Sequence, residues 1–208
     1  MSPRIALELT FSGPTAAAHG RLAEQQLRDA SVEAPAELAR LHTIVAAGAI
    51  AKSDLDTARA AAVAARHAEL GGDDIAAGWA HLASAIASVA PDAAARRVED
   101  TRVALRIARD TGVEEYVRIA HFLHVSALAE LGRITELDTA ISTAGELLLD
   151  FPWLDVERHV AWFRCLRATI DGQADIAEHL AGEAYALAER AGDADATSVF
   201  VGQLAIIR

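Results

Sequence analysis

The chain has 208 residues, 52% of them apolar but only 5% aromatic, and a formal net charge of −11. That charge argues against direct nucleic-acid binding, which needs a basic patch or stripe to meet phosphates. The single cysteine, Cys165, excludes an internal disulfide framework and fits a reducing, cytoplasmic setting. Much of the apolar fraction is alanine, the best helix former, so helix-on-helix packing is expected throughout.

Residues 5–12 form a short apolar run interrupted by Glu8, too short for a membrane span. They read as the tail of a first helix, turning at Gly13 into a partner over 15–30. Pro35 and Glu37 suit the first turn of the next helix, where proline lacks no needed N–H and acid complements the helix dipole. Ser53 with Asp56 resembles a capping box, and Asp73 and Asp74 precede a helix beginning at Ile75. The run Arg96, Arg97, Arg102, Arg106 and Arg109 is interleaved with Glu99, Asp100 and Asp110 and reads as a solvated helix face.

A repeat emerges when the turns are registered. Gly72, Gly112, Pro152 and Gly192 close successive apolar runs 40 residues apart, each a helix-stopping residue. Ser53, Asp92, Gly132 and Gly172 mark inner turns at intervals of 39, 40 and 40. Twelve residues after each inner turn stands an alanine: Ala65, Ala104, Ala144 and Ala184. Seven residues before it stand Ala46, Ala85, Val125 and Cys165; four before it, Ala49, Ser88, Leu128 and Ala168. Small residues at fixed points let hairpin backbones approach, and stacked hairpins bury the faces that a single hairpin leaves open. The expected fold is all-α: a right-handed solenoid of antiparallel helical hairpins running as one domain over 1–208. It divides into a partial repeat 1–32, repeats 33–72, 73–112, 113–152 and 153–192, and a truncated repeat 193–208. The last segment, 198–208, is strongly apolar where a terminal repeat is usually polar, which suggests a piece of a longer solenoid or self-association through this end. Ala144→Leu should overpack a hairpin contact and destabilise by roughly 1–3 kcal/mol.

The stretches Gly132–Ala144 and Gly172–Ala184, and the one from Ser53 to Ala65, resemble the turn and second helix of tetratricopeptide repeats. The family's turn glycine and alanines fall at Gly172, Ala177, Ala181 and Ala184. The longer period is similar to the MalT-like repeats of large bacterial signal-transduction ATPases and LuxR-type transcriptional regulators, as is the closing run from Phe200 to Arg208. The nucleotide-binding and DNA-binding modules of that group are absent from the chain, so the resemblance implies only the repeat region's role, the sensing of a partner or inducer. It further implies that first helices line a concave groove. Carried onto this register, the groove columns are Arg40, Trp79, Ile119 and His159; Thr43, Leu82, Phe122 and Trp162; and Ala47, Ile86, Ser126 and Leu166. Trp79, Phe122 and Trp162 would form an aromatic stripe, or would fill the core between hairpins; periodicity alone does not separate the two.

His42, His81 and His121 share one column. Equivalent positions in stacked helices lie about 8–10 Å apart or more, too far for one ion with ligands at about 2 Å, so no metal is expected there. His121 and His124 are one turn apart without a third ligand nearby, and Cys165 reads as a small core residue. No cofactor motif is present. The function expected is a non-catalytic scaffold holding a protein or peptide in the groove, with no nucleic acid and no membrane as partner. The alternative is a small-molecule, inducer-sensing module, which would need a closed pocket with several polar groups. An enzyme ranks third, since no nucleophile–base pair or metal cluster is readable.

Overall fold

A computed structural model of the chain describes residues 14–29, 34–70, 72–150, 154–193 and 195–208. Among them every regular element is a helix: α1 (Pro14–Asp29), α2 (Pro35–Ile50), α3 (Leu55–Glu69), α4 (Asp74–Ala87), a 3₁₀ turn (Pro91–Ala93), α5 (Ala94–Thr111), α6 (Val117–Glu130), α7 (Ile134–Asp150), α8 (Leu154–Ile170), α9 (Ala174–Arg190) and α10 (Ala196–Ile207). The turns expected at Gly13 and Pro152, and the segment 5–12, lie outside the described residues.

The turn chemistry explains where helices stop. Gly72, Gly112, Gly132, Gly172 and Gly192 all hold positive φ, between 63° and 76°, the left-handed region that glycine enters without a Cβ penalty. Ser53 takes the same conformation at φ 59° without that freedom. The expected Ser53–Asp56 capping box is not what starts α3. Asp54 is the N-cap, and its carboxylate accepts the Thr57 N–H at 3.0 Å. Asp73 caps α4 by accepting from Ile75 and Ala76.

The helices form two compact units, Met1–Gly132 and Arg133–Arg208. The boundary falls inside the repeat read as 113–152, between its two helices. In the first unit α2 packs on α1, α3 and α4, α4 also packs on α3 and α5, and α5 packs on α6. The α1–α2 crossing is a backbone contact: a Cβ on Gly48 would come 2.7 Å from the Gly20 Cα. The α3–α4 seam is built of Ala62, Ala65, Ala80 and Ala83. The larger core side chains are Trp79, Tyr116, Leu82, Ile86 and Ile119. Gly78 makes the room for Tyr116, since a Cβ there would fall 2.0 Å from the phenol oxygen. Burial pushes that phenol up to about 12.

In the second unit α8 packs on α7 and α9, and α9 on α10. Its core is finer-grained: Cys165, Ala168, Ala177 and Ala181 with Leu180, Phe200 and Ile207 in one cluster, and Ala161, Ala184 and Leu187 with Trp162 in another. All four residues of the alanine column, Ala65, Ala104, Ala144 and Ala184, are buried, as are Ala46, Ala85, Val125 and Cys165. These two small-residue columns are therefore core positions.

Candidate functional site

The residues expected in a groove do not share one environment. Trp79, Leu82, Ile86 and Ile119 are buried, none more than 2% exposed, so they build the core of the first unit and present no surface. Trp79 meets Tyr116 edge-on at 4.7 Å. Its carbonyl accepts the Thr43 hydroxyl at 2.9 Å, which ties α2 to α4. The correction has a simple cause. α4, which carries Trp79, Leu82 and Ile86, packs on α2, α3 and α5 and has too little free circumference to leave these columns open, and Ile119 on α6 joins the same core cluster. Arg40 is mostly covered and is ion-paired to Glu37 and Glu115, each at 3.1 Å. Phe122 on α6 is half-buried.

In the second unit the same columns stay partly open. His159, Trp162 and Leu166 occupy one face of α8, at spacings of three and four, and each is half-buried. The Trp162 ring is held from two directions. His159 meets it edge-on at 5.0 Å, and the Arg158 guanidinium lies over it at 4.9 Å from the ring centre. Arg158 is itself buried and ion-paired with Asp193, which anchors the cation from the turn after α9. The result is a half-buried aromatic ring held by two cation-bearing or aromatic neighbours.

A second polar constellation went unread in the sequence. Asp100, on α5, is only 6% exposed. Its Oδ1 accepts from His81 Nδ1 at 2.8 Å and from Arg66 at 3.0 Å. Its Oδ2 accepts the Ser84 hydroxyl at 2.6 Å, and Arg96 Nε lies 3.5 Å away. Burial alone would raise the Asp100 carboxyl. The hydrogen bonds from His81 and Ser84, with the charges of His81 and Arg66, outweigh it and hold the group below the ordinary aspartate value. Although serine, histidine and aspartate meet here, the carboxylate sits between the other two. Activation of a hydroxyl needs the imidazole in the middle, so this cluster lacks the order required for an acyl-transfer nucleophile.

The arginine run on α5 was expected to be solvated throughout. Arg97 is instead buried, donating to the Ser88 carbonyl at 2.8 Å and pairing with Glu130. The signal that could have shown this is the apolar period Ala94, Val98, Thr101, Ala104 and Ala108, all buried. It places positions 97 and 100 on the flank of the packed face. Of the histidine column, His42, His81 and His121 are all half-buried, and only His81 joins the Asp100 cluster. His124 Nδ1 lies 2.8 Å from the Thr101 hydroxyl. Cys165 is buried, with its thiol donating to the Ala177 carbonyl at 3.4 Å, and burial raises its pKa. Among the described residues no group of three or more His, Cys, Asp or Glu is arranged to hold a metal ion, and no helix is long and apolar enough to cross a membrane.

A scan against protein-family models finds no match, and searches of curated proteins and of solved structures find none either.

Proposed function

We propose that this chain is a tetratricopeptide-like helical scaffold, related in role to the repeat regions of bacterial transcriptional regulators, and that it captures a basic peptide on the α8 face of its second unit. The observation that carries the reading is the half-open Trp162, clasped by His159 and Arg158 and continued by Leu166 one turn on. Large aromatics with restricted rotamers, set beside an aliphatic residue, are the usual anchors of interfaces because little entropy is lost when they engage. The sign of the partner follows from charge. Residues 133–208 carry six arginines and no lysine against thirteen aspartates and glutamates, a balance that favours cationic partners and speeds their encounter.

The test is a binding selection from a displayed peptide library at physiological salt. The prediction is enrichment of Lys/Arg-rich peptides bearing one Leu or aromatic anchor. Trp162→Ala should weaken a selected peptide about thirtyfold, the loss of a typical interface anchor, with an unchanged circular dichroism spectrum. Selection of acidic peptides, or equal binding by the Trp162→Ala protein, would refute the assignment.

A further inference from the structure

Between α3 and α5, over the C-terminal half of α4, lies an open cleft of about 370 Å³, within the size range of small-molecule sites. Arg59 and Arg66 enter it from α3, two turns apart on one face, and Arg96 enters from the first turn of α5. Ser84 near the end of α4 and Ser88, its C-cap, also line it, and Val63 heads an otherwise alanine-lined wall. We propose that this cleft is a binding site for a small organic oxyanion, a phosphate or carboxylate carrying a compact apolar group.

The argument rests on how the cations are held. Asp100 lies beneath the cleft, outside its lining. From there it fixes Arg66 and the Ser84 hydroxyl by hydrogen bonds and draws Arg96 to 3.5 Å. Arg96 also donates to the Ser84 oxygen at 3.2 Å. Two guanidiniums are thus positioned around one buried carboxylate and the Ser84 hydroxyl before any ligand arrives, which lowers the ordering cost of binding. Arg66 is already engaged by Asp100, Glu69 and the His81 ring and supplies mainly charge, whereas the five N–H donors of a guanidinium leave Arg96 and Arg59 with donors over for a planar oxyanion, which arginine grips two at a time. Arg59 has only a long 3.8 Å pairing with Asp56, whose side chain is 99% exposed. The cleft also reaches Ala93 and the start of α5, a helix end with no side-chain cap and no acidic residue in its first turn. The positive end of that helix adds to the same potential.

The opposing charges are Asp100 itself, which offsets one of the three cations from below, Asp92 on the rim, Glu69 paired with Arg66 at 3.0 Å, Asp56 beside Arg59, and the overall net charge of −11. The last acts weakly here, since charges more than about 8 Å away across water are screened at physiological salt. The wall of Val63, Ala62 and Ala87 gives the apolar part of the ligand its contact, and Val63 is 57% exposed.

Phenyl phosphate, inorganic phosphate and benzoate serve as probes, titrated at constant ionic strength and followed by amide chemical shifts and calorimetry. Phenyl phosphate or benzoate should saturate with a Kd in the micromolar to low-millimolar range, at least about tenfold tighter than inorganic phosphate. The resonances that shift should be those of α3, the end of α4 and the start of α5. Arg59 and Arg96 have side chains 62% and 68% exposed, so Arg59→Ala and Arg96→Ala should fold normally and each weaken the tighter probe about tenfold or more. Trp162→Ala should bind it unchanged, which separates this site from the α8 face. Which of phenyl phosphate and benzoate binds tighter identifies the oxyanion. Absence of saturation by every probe up to about 10 mM, or equal binding by both arginine variants with their melting temperatures intact, would overturn the proposal.

Discussion

The same repeat columns lead different lives on α4 and on α8. Trp79 and Leu82 on α4 are buried at 2% and 0% exposure, whereas their register partners on α8, His159 and Trp162, stay half-open. In the first unit α4 is wrapped by α2, α3 and α5, with Tyr116 closing over it. In the second unit α8 is packed by α7 and α9 through a largely alanine core. A column position therefore sets where a side chain stands on its helix. The number and bulk of the neighbours decide whether that side chain is buried or partly solvated.

The sharpest way to break this comparison is to remove both indoles. Trp79→Ala should cost about 3–5 kcal/mol, as for deletion of a large core aromatic. Trp162→Ala should cost no more than about 1.5 kcal/mol, since the side chain is already partly solvated. Urea midpoints of the two variants check this, and equal losses would erase the distinction between core and surface.

Acid should act next, and on the first unit. His121 on α6 is held down to about 4 by burial first, then by the neighbouring His124 and Arg109 charges. The unfolded chain takes up that proton near 6.5, so unfolding binds more protons than folding between these values and stability falls as the pH drops from 6.5 towards 4. The loss expected from this residue is on the order of 3 kcal/mol. His42, also lowered by burial, adds in the same direction. Asp100 has the opposite history: its contribution is full above the ordinary value of 3.8 and is lost only as the pH falls through its lower folded value. The window between 4 and 6.5 thus isolates the histidines. Amide exchange should accelerate in α5 and α6 before α8 and α9, and His121→Leu should flatten the pH dependence of the urea midpoint.

The smallest effect is a change of sign. Gly48→Ala in α2 forces a Cβ against the Gly20 backbone and should destabilise by roughly 1–3 kcal/mol. Gly182→Ala in α9 meets nothing within 4 Å and should stabilise by about 0.5–1 kcal/mol through helix propensity. Melting temperatures moving in opposite directions would confirm that glycine marks a close crossing in one unit and spare helix surface in the other.

The legible part of the fold was the part carried by local chemistry. Glycines that end helices, aspartates that cap them and alanines at the closest approaches are chosen by backbone geometry within a few residues, so their positions could be read one at a time. The cap at Asp54 was missed by one residue because Ser53, also a good cap, holds the left-handed turn instead. Of the groove residues, His159, Trp162 and Leu166 do share one half-buried face of α8, whereas Leu82, Ile86 and Ile119, expected to face a groove, are core, and Trp79, for which groove and core were both open, is core as well.

By itself, then, the sequence determined an all-helical chain, the places where its helices begin and end, and the small-residue columns on which they meet, because each depends on residues close together along the chain. Only the tertiary structure decided which column is core and which is surface, and that Asp100 gathers His81, Ser84 and Arg66 beneath a cleft. Those residues come from three helices and are separated by up to 34 positions. Burial and ion pairing depend on what arrives from across the fold, which no local pattern records.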